Sequence, residues 1–129
     1  MAKRIREKAI ARKQNADKRP TATVTNIGVS STKVKLVLDL VRGKNAEVAA
    51  TMLENMRNGS ALAVKKVIES AMANAEHNMG LNRSDLYVAE IYCTQGPTMK
   101  RMSVRARGRA DVILKRSSNV TVILDQVKA

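Results

Sequence analysis

The chain has 129 residues and a formal net charge of +13, from 24 Lys and Arg against 11 Asp and Glu. This length fits one domain with one core, and a hydrophobic share of 44% suffices for a folded body. No stretch approaches the roughly 18 apolar residues that a membrane span needs. The single Cys93 excludes an internal disulfide, which suits a reducing compartment. Residues 1–19 lack the apolar core of a secretory signal, and Glu7 and Asp17 argue against an organelle transit peptide.

The positive charge is concentrated at the two ends of the chain. Residues 1–20 hold 8 basic and 2 acidic residues, a net charge of +6, and residues 96–129 hold the same numbers. Residues 21–95 hold 8 basic and 7 acidic residues, so the middle is nearly neutral. This segregation is typical of a protein that binds a polyanion. It predicts a basic N-terminal tail, residues 1–20, followed by a single domain, residues 21–129.

The first two segments are the basic tail and a short strand. Apolar periodicity is poor in the tail, Pro20 closes it, and residues 5–11 are expected to turn helical on contact with a partner. Residues 21–29 are rich in Val and Thr, which predicts a strand.

Three helices are predicted next. Each has residues that favour a helix start or stop at its ends, and an apolar stripe at helical spacing. Their ends are Ser30 or Ser31 to Gly43, Asn45 to Asn58 with Gly59, and Ser60 to Met79 with Gly80. Their stripes are Val34, Val37, Leu38 and Val41; Ala49, Met52, Leu53 and Met56; and Val64, Val67, Ile68, Ala71, Met72 and Ala75. Leu36 and Leu40 widen the first stripe, which predicts a helix buried on two sides. The third helix is the longest and is expected to be central.

The last third of the chain is β-like. The predicted strands are residues 86–94, 112–114 and 120–127. The simplest interpretation is an extended β-hairpin over about residues 86–127. Its distal arm, about residues 96–111, runs out of apolar residues and becomes basic. Isolated hairpins are marginal in water, so this arm needs a partner to lie against.

The basic arm carries the main functional signal. Its cations, opposed by Asp111 alone, are Lys100, Arg101, Arg105, Arg107, Arg109, Lys115 and Arg116. Arginine pairs bidentately with phosphate, whereas an unneutralised run of one sign would repel itself on an ordinary solvated hairpin. The only aromatic residues are Tyr87 and Tyr92, so base stacking is scarce. We therefore expect binding through phosphates and the shape of a folded RNA, with the seven Met residues filling an aromatic-free core.

Catalytic and metal sites find little support. His77 is the only histidine, which excludes a multi-histidine metal site, and it is expected to cap carbonyls or contact RNA. Cys93 is expected to pack in the core, and Glu69 to pair on the surface with Lys65 or Lys66. No glycine-rich nucleotide loop is present. The sequence predicts no enzyme, no cofactor and no metal.

Three separated blocks resemble the ribosomal protein twenty-two family of the bacterial large subunit. Residues 34–43 resemble its first helix and residues 63–78 its long helix. Residues 96–101, 105–111 and 113–116 resemble its extended hairpin, and the whole resemblance covers about residues 22–125. Many members have Pro where this chain has Val104, and the tail extends beyond the shortest members.

The resemblance implies an α+β fold: a small antiparallel three-stranded sheet packed with three helices, and a long protruding basic hairpin. It also implies a structural role in the cytoplasmic ribosome, where the body binds large-subunit ribosomal RNA and supports early assembly. The hairpin would line the polypeptide exit tunnel, beside ribosomal protein four and the nascent polypeptide. Changes near Met99, Lys100 and Arg101 are linked in this family to macrolide resistance.

Two sets of site residues follow. The RNA-binding set joins the seven arm cations to Arg42, Lys44, Lys65, Lys66, His77 and Asn78. The tunnel-lining set, which rests on the resemblance, is Met99, Lys100, Arg101, Met102, Val104 and Arg105.

Two other functions remain open at this stage. The first is an architectural DNA-binding protein with a basic β-arm in a groove, for which Val104 would be a small wedge. Competition between ribosomal RNA and duplex DNA separates this from RNA binding. The second is an RNA-modifying enzyme, which would require an activity that depends on His77.

Overall fold

The computed structural model describes residues 2–15 and 17–126, without the side chains of residues 2 and 3. Met1 of the tail, Val127 of the last strand and the end of the domain at Ala129 lie outside the described residues. Within them the chain forms helices and two antiparallel sheets, which confirms the α+β class. The elements are α1 Ala2–Gln14, β1 Thr21–Ile27, α2 Ser31–Val41, α3 Ala46–Glu54, α4 Ala61–Met79, a 3₁₀ turn Arg83–Asp85, β2 Leu86–Gln95, β3 Met99–Val104, β4 Ala110–Lys115 and β5 Ser118–Gln126.

The body is built on a three-stranded sheet in the order β1-β5-β2. The central strand β5 pairs antiparallel with both neighbours, and Ile123 lies opposite Thr21 on one side and Glu90 on the other. Each pairing is interrupted once, after Val24 and after Val88. Such irregularities increase the local twist of a strand.

Helices α2, α3 and α4 cover one face of this sheet. Burial alternates along the first half of each of β2 and β5, as a half-covered antiparallel sheet requires, whereas Val122, Ile123 and Leu124 are buried in succession. The stripes predicted for α2 and α4 are buried throughout, which confirms both. Ala71 and Ala75 of α4 are fully buried, and their small size allows the central helix to approach the sheet closely.

Two predictions about the core are wrong. Leu36 and Leu40 are 68% and 50% exposed, because α2 packs on β2 and α4 with one face only and nothing in the described chain covers the other. Of the methionines in the described part, Met72 is buried and Met52 and Met56 are half-buried, whereas Met79, Met99 and Met102 are exposed. Val, Leu, Ile and Ala side chains fill the core instead.

Most of the predicted helix ends are confirmed, but α3 ends at Glu54, before the predicted stop at Asn58, so Met56 of its predicted stripe lies outside the helix. The Asn45 side chain accepts a hydrogen bond from the backbone N–H of Glu47 at 2.9 Å and caps α3. Gly80 ends α4 with φ of 66°, a left-handed conformation that favours glycine. Ser30 is the N-cap residue of α2, but its side chain makes no capping hydrogen bond.

The tail contains a longer helix than the sequence predicts. α1 covers residues 2–14, and residues 4–15 are all exposed. The chain rejoins the body at Arg19, whose guanidinium donates to Asp17 and, at 2.9 Å, to Glu90 of β2. The backbone N–H of Leu124 donates to the carbonyl of Pro20 at 2.9 Å, so the end of the tail is fixed to the sheet.

Candidate nucleic-acid interface

The arm is a separate two-stranded sheet that continues the hairpin formed by β2 and β5. β3 and β4 pair antiparallel from Met99 opposite Lys115 to Val104 opposite Ala110. Residues 96–98 and 116–117 interrupt the ladder between body and arm. This joint, formed by those five residues, is bridged by two hydrogen bonds, from the Gly96 N–H to the Ser117 carbonyl at 2.9 Å and from Ser117 Oγ to the Pro97 carbonyl at 2.7 Å.

Glycine at position 96 is required by the close approach of the two chains. A Cβ atom there would lie 2.5 Å from Ser117 Oγ and 3.2 Å from the Ser117 carbonyl carbon. The side-chain hydroxyl could rotate away, but the backbone carbon belongs to the joint itself. The sequence therefore uses glycine where the arm leaves the body.

The tip of the arm is a tight turn. The backbone N–H of Arg105 donates to the Arg109 carbonyl at 2.9 Å, and Arg107 and Gly108 have φ of 59° and 69°. Positive φ at both central residues is the backbone geometry that suits the twist of a two-stranded hairpin. The turn holds Arg107, a non-glycine residue in this conformation, at the apex of the arm.

The register divides the arm strands into two unlike faces, because successive side chains of a strand point to opposite sides. One face has Lys100 as its single charge, and its other members are Met102, Val104, Ala110, Val112 and Leu114. The opposite face is mixed and holds Met99, Arg101, Ser103, Asp111, Ile113 and Lys115. Arg105 belongs with the second face, since its Nε donates to Asp111 at 2.8 Å.

The side chains of both arm strands are almost all exposed to solvent. Val104 is 87% and Met102 is 76% exposed. Arg105 and Asp111 form the one ion pair found within the arm, and both side chains are about two-thirds exposed, so it adds little stability. The other arm cations form no ion pair with the described residues. Their positive charge is available to an external anion.

A cleft of about 540 Å³ lies at the base of the arm. Lys33 at the start of α2 lines it together with Lys115 and Arg116 from the arm and Asn26 from the end of β1. An adjoining cleft of about 390 Å³ is lined by Arg116 and by residues of the first turn of α2. Three cations thus meet here, and the amino end of a helix adds to the positive potential. Sequence reasoning missed Lys33, because no spacing rule relates it to residues some 80 positions away.

The body residues of the predicted RNA-binding set do not join the arm cations. Arg42 donates to Asp39 at 2.8 Å and to the Ile91 carbonyl at 3.1 Å. Lys44 donates to the Met52 sulfur at 3.3 Å. Local contacts therefore set the positions of the Arg42 and Lys44 side chains.

Lys65 is the most engaged member of that set. Its ammonium lies 3.2 Å from Glu54 and 3.6 Å from Glu69, and 18% of its side chain is exposed. The hydrogen bond to Glu54 is the largest cause of a raised pKa for Lys65. Its charge is compensated within the body, and the expected surface pairing of Glu69 with one of the two lysines is confirmed.

Lys66, His77 and Asn78 are exposed on α4. Asn78 lines a shallow cleft with Lys18 and Arg19, where the tail rejoins the body. The structure thus places Asn78 beside the tail rather than beside the arm.

The remaining reactive groups are structural. Cys93 packs against the core, and its Sγ donates to the Ser31 carbonyl at 3.3 Å. Burial raises the pKa of this thiol, which disfavours the nucleophilic thiolate. Among residues 2–15 and 17–126, no group of three or more His, Cys, Asp or Glu side chains is placed to hold a metal ion. No helix in the same ranges is long and apolar enough to cross a membrane.

The sequence of this body and arm matches a known family. The family described as ribosomal protein L22p/L17e matches residues 22–125. The chain belongs to this family. The matched range includes the body sheet, helices α2 to α4 and the whole arm, but not α1. Membership confirms the resemblance and identifies a structural protein rather than an enzyme.

Curated relatives are similar in sequence to this chain over most of their own length. The chain is 44% identical over 107 residues to a large ribosomal subunit protein uL22 from Buchnera aphidicola subsp. Cinara cedri, covering 83% of this chain and 86% of the relative. It is 47% identical over 102 residues to one from Desulforamulus reducens, covering 79% and 90%. It is 45% identical over 107 residues to one from Staphylococcus aureus strain JH9, covering 83% and 92%.

Proposed function

We propose that this chain binds large-subunit ribosomal RNA through its arm and the cleft at the arm's base. It acts as a structural constituent of the large ribosomal subunit, in the cytoplasmic ribosome, and supports early subunit assembly. Family membership supports the ribosomal role. The observation that carries the RNA contact is the arm itself: exposed strands, one ion pair, and cations that the described chain leaves uncompensated.

The mechanism is electrostatic ordering of the arm. Each arm cation that meets a phosphate releases a condensed counterion, and this release favours binding most strongly at low salt. Arg101, Arg107 and Arg109 can pair bidentately with phosphate oxygens. Lys33, Lys115 and Arg116 form a second group of cations at the base cleft. The arm would thus be held by RNA at its tip and at its base.

The tunnel-lining role is a finer part of the proposal. The arm would run through the subunit wall and expose Met99, Lys100, Arg101, Met102, Val104 and Arg105 near the tunnel, beside ribosomal protein four and the nascent polypeptide. A wall that lets a chain pass must not bind it strongly, and Met102 and Val104 lie on the exposed face whose single charge is Lys100, whereas Arg101 and Arg105 lie on the opposite face. A link between Met99–Arg101 and macrolide resistance would follow from the same location.

The test compares two variants that lose the same charge. Arg107→Ala with Arg109→Ala removes two cations from the arm tip, and Lys35→Ala with Arg57→Ala removes two exposed cations from the body. For a large-subunit ribosomal RNA transcript, the arm variant should reduce the slope of log affinity against log salt by about 1.5 to 2, and the body variant by less than about 0.5. The affinity is measured at several salt concentrations between about 0.05 and 0.3 M.

Two further measurements test the proposed RNA contact. Co-sedimentation of the full chain with large subunits through a high-salt wash should survive, because many contacts act together. Equal affinity for ribosomal RNA and for a duplex DNA competitor at fixed salt would instead favour the architectural DNA-binding role and contradict the proposal.

A further inference from the structure

The tail helix α1 has features that neither the body nor the arm explains. It lies outside the range matched by the family, residues 22–125. Its sequence, AKRIREKAIARKQ, contains six Lys and Arg and one Glu. Every described side chain of the helix is exposed. Because this positively charged helix covers no apolar surface of the described residues, packing against them does not explain why it is helical.

The helix is poorly stabilised by its own sequence. Arg4 and Lys8, and Lys8 and Arg12, stand four residues apart, where like charges repel by about 0.2–0.5 kcal/mol per pair. Its first turn has no acidic residue to oppose the helix dipole. A helix of 13 residues is marginal in water even with favourable residues. Neutralisation of these cations by an anionic partner would remove the repulsion and favour the helix.

Five of the six cations lie around one side of the helix, and the sixth, Lys3, occupies a position on the other side near that of Glu7. With about 100° of rotation per residue, Ile5 and Ala9 lie on one line along the axis. Arg4, Lys8 and Arg12 form a row on one flank of that line, and Arg6 and Lys13 lie on the other flank. Glu7, the only acid of α1, lies on the opposite side together with Ala11.

This arrangement fits a groove with negative walls. The uncharged side chains of Ile5 and Ala9 can face the floor of such a groove. The cations on the two flanks can then reach the phosphates on either side. A membrane surface would require one continuous apolar face. Ile5 and Ile10 are instead separated by about 140° around the axis, so α1 offers no such face.

We propose that α1 is a second RNA contact, separate from the arm. It lies along a phosphate-walled groove of folded RNA, with its Ile5–Ala9 side toward the RNA and Glu7 pointing away. The inference relies on the proposed function only for the source of the RNA, which is the large-subunit ribosomal RNA.

The fixed end of the tail supports a cooperative contact. Arg19 holds Asp17 and Glu90, and the Pro20 carbonyl accepts from Leu124, so the chain that follows α1 is attached to the body sheet. Lys18 is exposed beside this attachment. Once the arm is bound, the short connection keeps α1 at a high effective concentration near the same RNA.

The first experiment tests the orientation of α1 with two matched variants of the full chain. Ala9→Glu and Ala11→Glu make the same substitution two residues apart in the same helix, at positions exposed in the free chain. Ala9→Glu places a carboxylate toward the phosphates and should weaken binding to the ribosomal RNA transcript by about tenfold, whereas Ala11→Glu should change it by less than about threefold. Equal losses would overturn the proposed orientation.

The second experiment separates this inference from the proposed function. Arg4→Ala, Lys8→Ala and Arg12→Ala together keep good helix formers and should lower the salt slope by about 2 to 3. If this variant binds the transcript like the parent chain while the Arg107 and Arg109 variant is weakened, α1 is no RNA contact and the proposed function stands. If only the α1 variant is weakened, the arm proposal fails and this inference stands.

A membrane contact gives a different result. Vesicles of phosphatidylglycerol and phosphatidylcholine serve as the probe in the same salt series. Binding to vesicles that is lost in the Arg4, Lys8 and Arg12 variant, with RNA affinity unchanged, would overturn the inference in favour of a membrane surface. Unchanged vesicle binding together with lower RNA affinity supports it.

Discussion

The body sheet and the arm sheet are built from the same kind of strand but are held by different forces. In β2 and β5, Leu86, Val88, Val120 and Leu124 are fully buried against the helices. β3 and β4 follow directly along the same two chain segments and bury none of their described side chains. Hydrophobic burial is the main force that stabilises a fold, so the body can fold alone. The arm has only its backbone ladder and the exposed Arg105–Asp111 ion pair, so we expect its lasting order to depend on a partner.

The largest expected difference is in amide hydrogen exchange of the free chain. Amides of α4 should exchange only through global unfolding, whereas amides of β3 and β4 should exchange at least about a hundredfold faster through local opening. Adding the ribosomal RNA transcript should slow the arm amides and leave those of α4 nearly unchanged. Equal protection along Met99–Arg109 and α4 in the free protein would show that the arm is ordered without a partner.

Two matched leucine-to-alanine substitutions, one in the body and one in the arm, compare what each sheet contributes to the free energy of unfolding. Leu124→Ala in β5 removes a fully buried side chain and should lower the free energy of unfolding by about 3 kcal/mol. Leu114→Ala in β4, where the leucine is 43% exposed, should lower it by less than about 1 kcal/mol. Urea unfolding followed by circular dichroism measures both. Similar losses would mean that the arm belongs to the same cooperative unit as the body.

A smaller effect is expected at the arm tip. Gly108 has φ of 69°, so Gly108→Ala strains the turn by about 1 kcal/mol and should weaken RNA binding about fivefold. The urea midpoint should stay unchanged, because the tip opens independently of the body. Gly59→Ala is the control, since nothing lies within 4 Å of its added Cβ. Its RNA affinity should match that of the parent chain.

The smallest effect concerns the attachment of the tail. The side-chain hydrogen bond from Arg19 is the largest cause that lowers the pKa of Asp17 from 3.8 to about 2. The Asp17 carboxylate is more acidic in the folded chain than in the unfolded one. Its contribution is therefore complete above about pH 4 and is lost as the pH falls through about 2.

This attachment can be followed by NMR titration of the Arg19 Nε–H resonance. The resonance should move as the pH falls through about 2. Asp17→Asn should abolish that movement while leaving the body resonances in place. A midpoint near 4 would instead mean that the carboxylate is not held by Arg19, because an unpaired aspartate titrates at about that pH.

The body was more predictable from sequence than the arm, for a physical reason. Periodicity identifies a buried helix face, and it correctly identified the stripes of α2 and α4. It could not tell that Leu36 and Leu40 are exposed, because apolar spacing does not reveal whether a second layer covers a helix. The Asn45 and Gly80 helix ends were predictable, since their signals are local.

The arm and its base depend on non-local information. Its cations were visible from composition, but the division into two faces follows from the β3–β4 register, which the tip turn sets. Lys33 joins Lys115 and Arg116 only because α2 begins beside the arm's base. The extent of α1 was also missed, because an apolar stripe was the signal sought and this helix is defined by its charges.

The joint between the two sheets determines how force at the arm tip reaches the body. Continuous ladder pairing would make the hairpin act as a stiff lever, and a push on the tip would pry apart β2 and β5. At residues 96–98 and 116–117 only the Gly96–Ser117 and Ser117–Pro97 hydrogen bonds cross the joint. We therefore expect the arm to bend at this joint rather than within either sheet. Displacement of the arm tip should then leave the pairing of β2 with β5, and the hydrophobic core beneath it, unchanged.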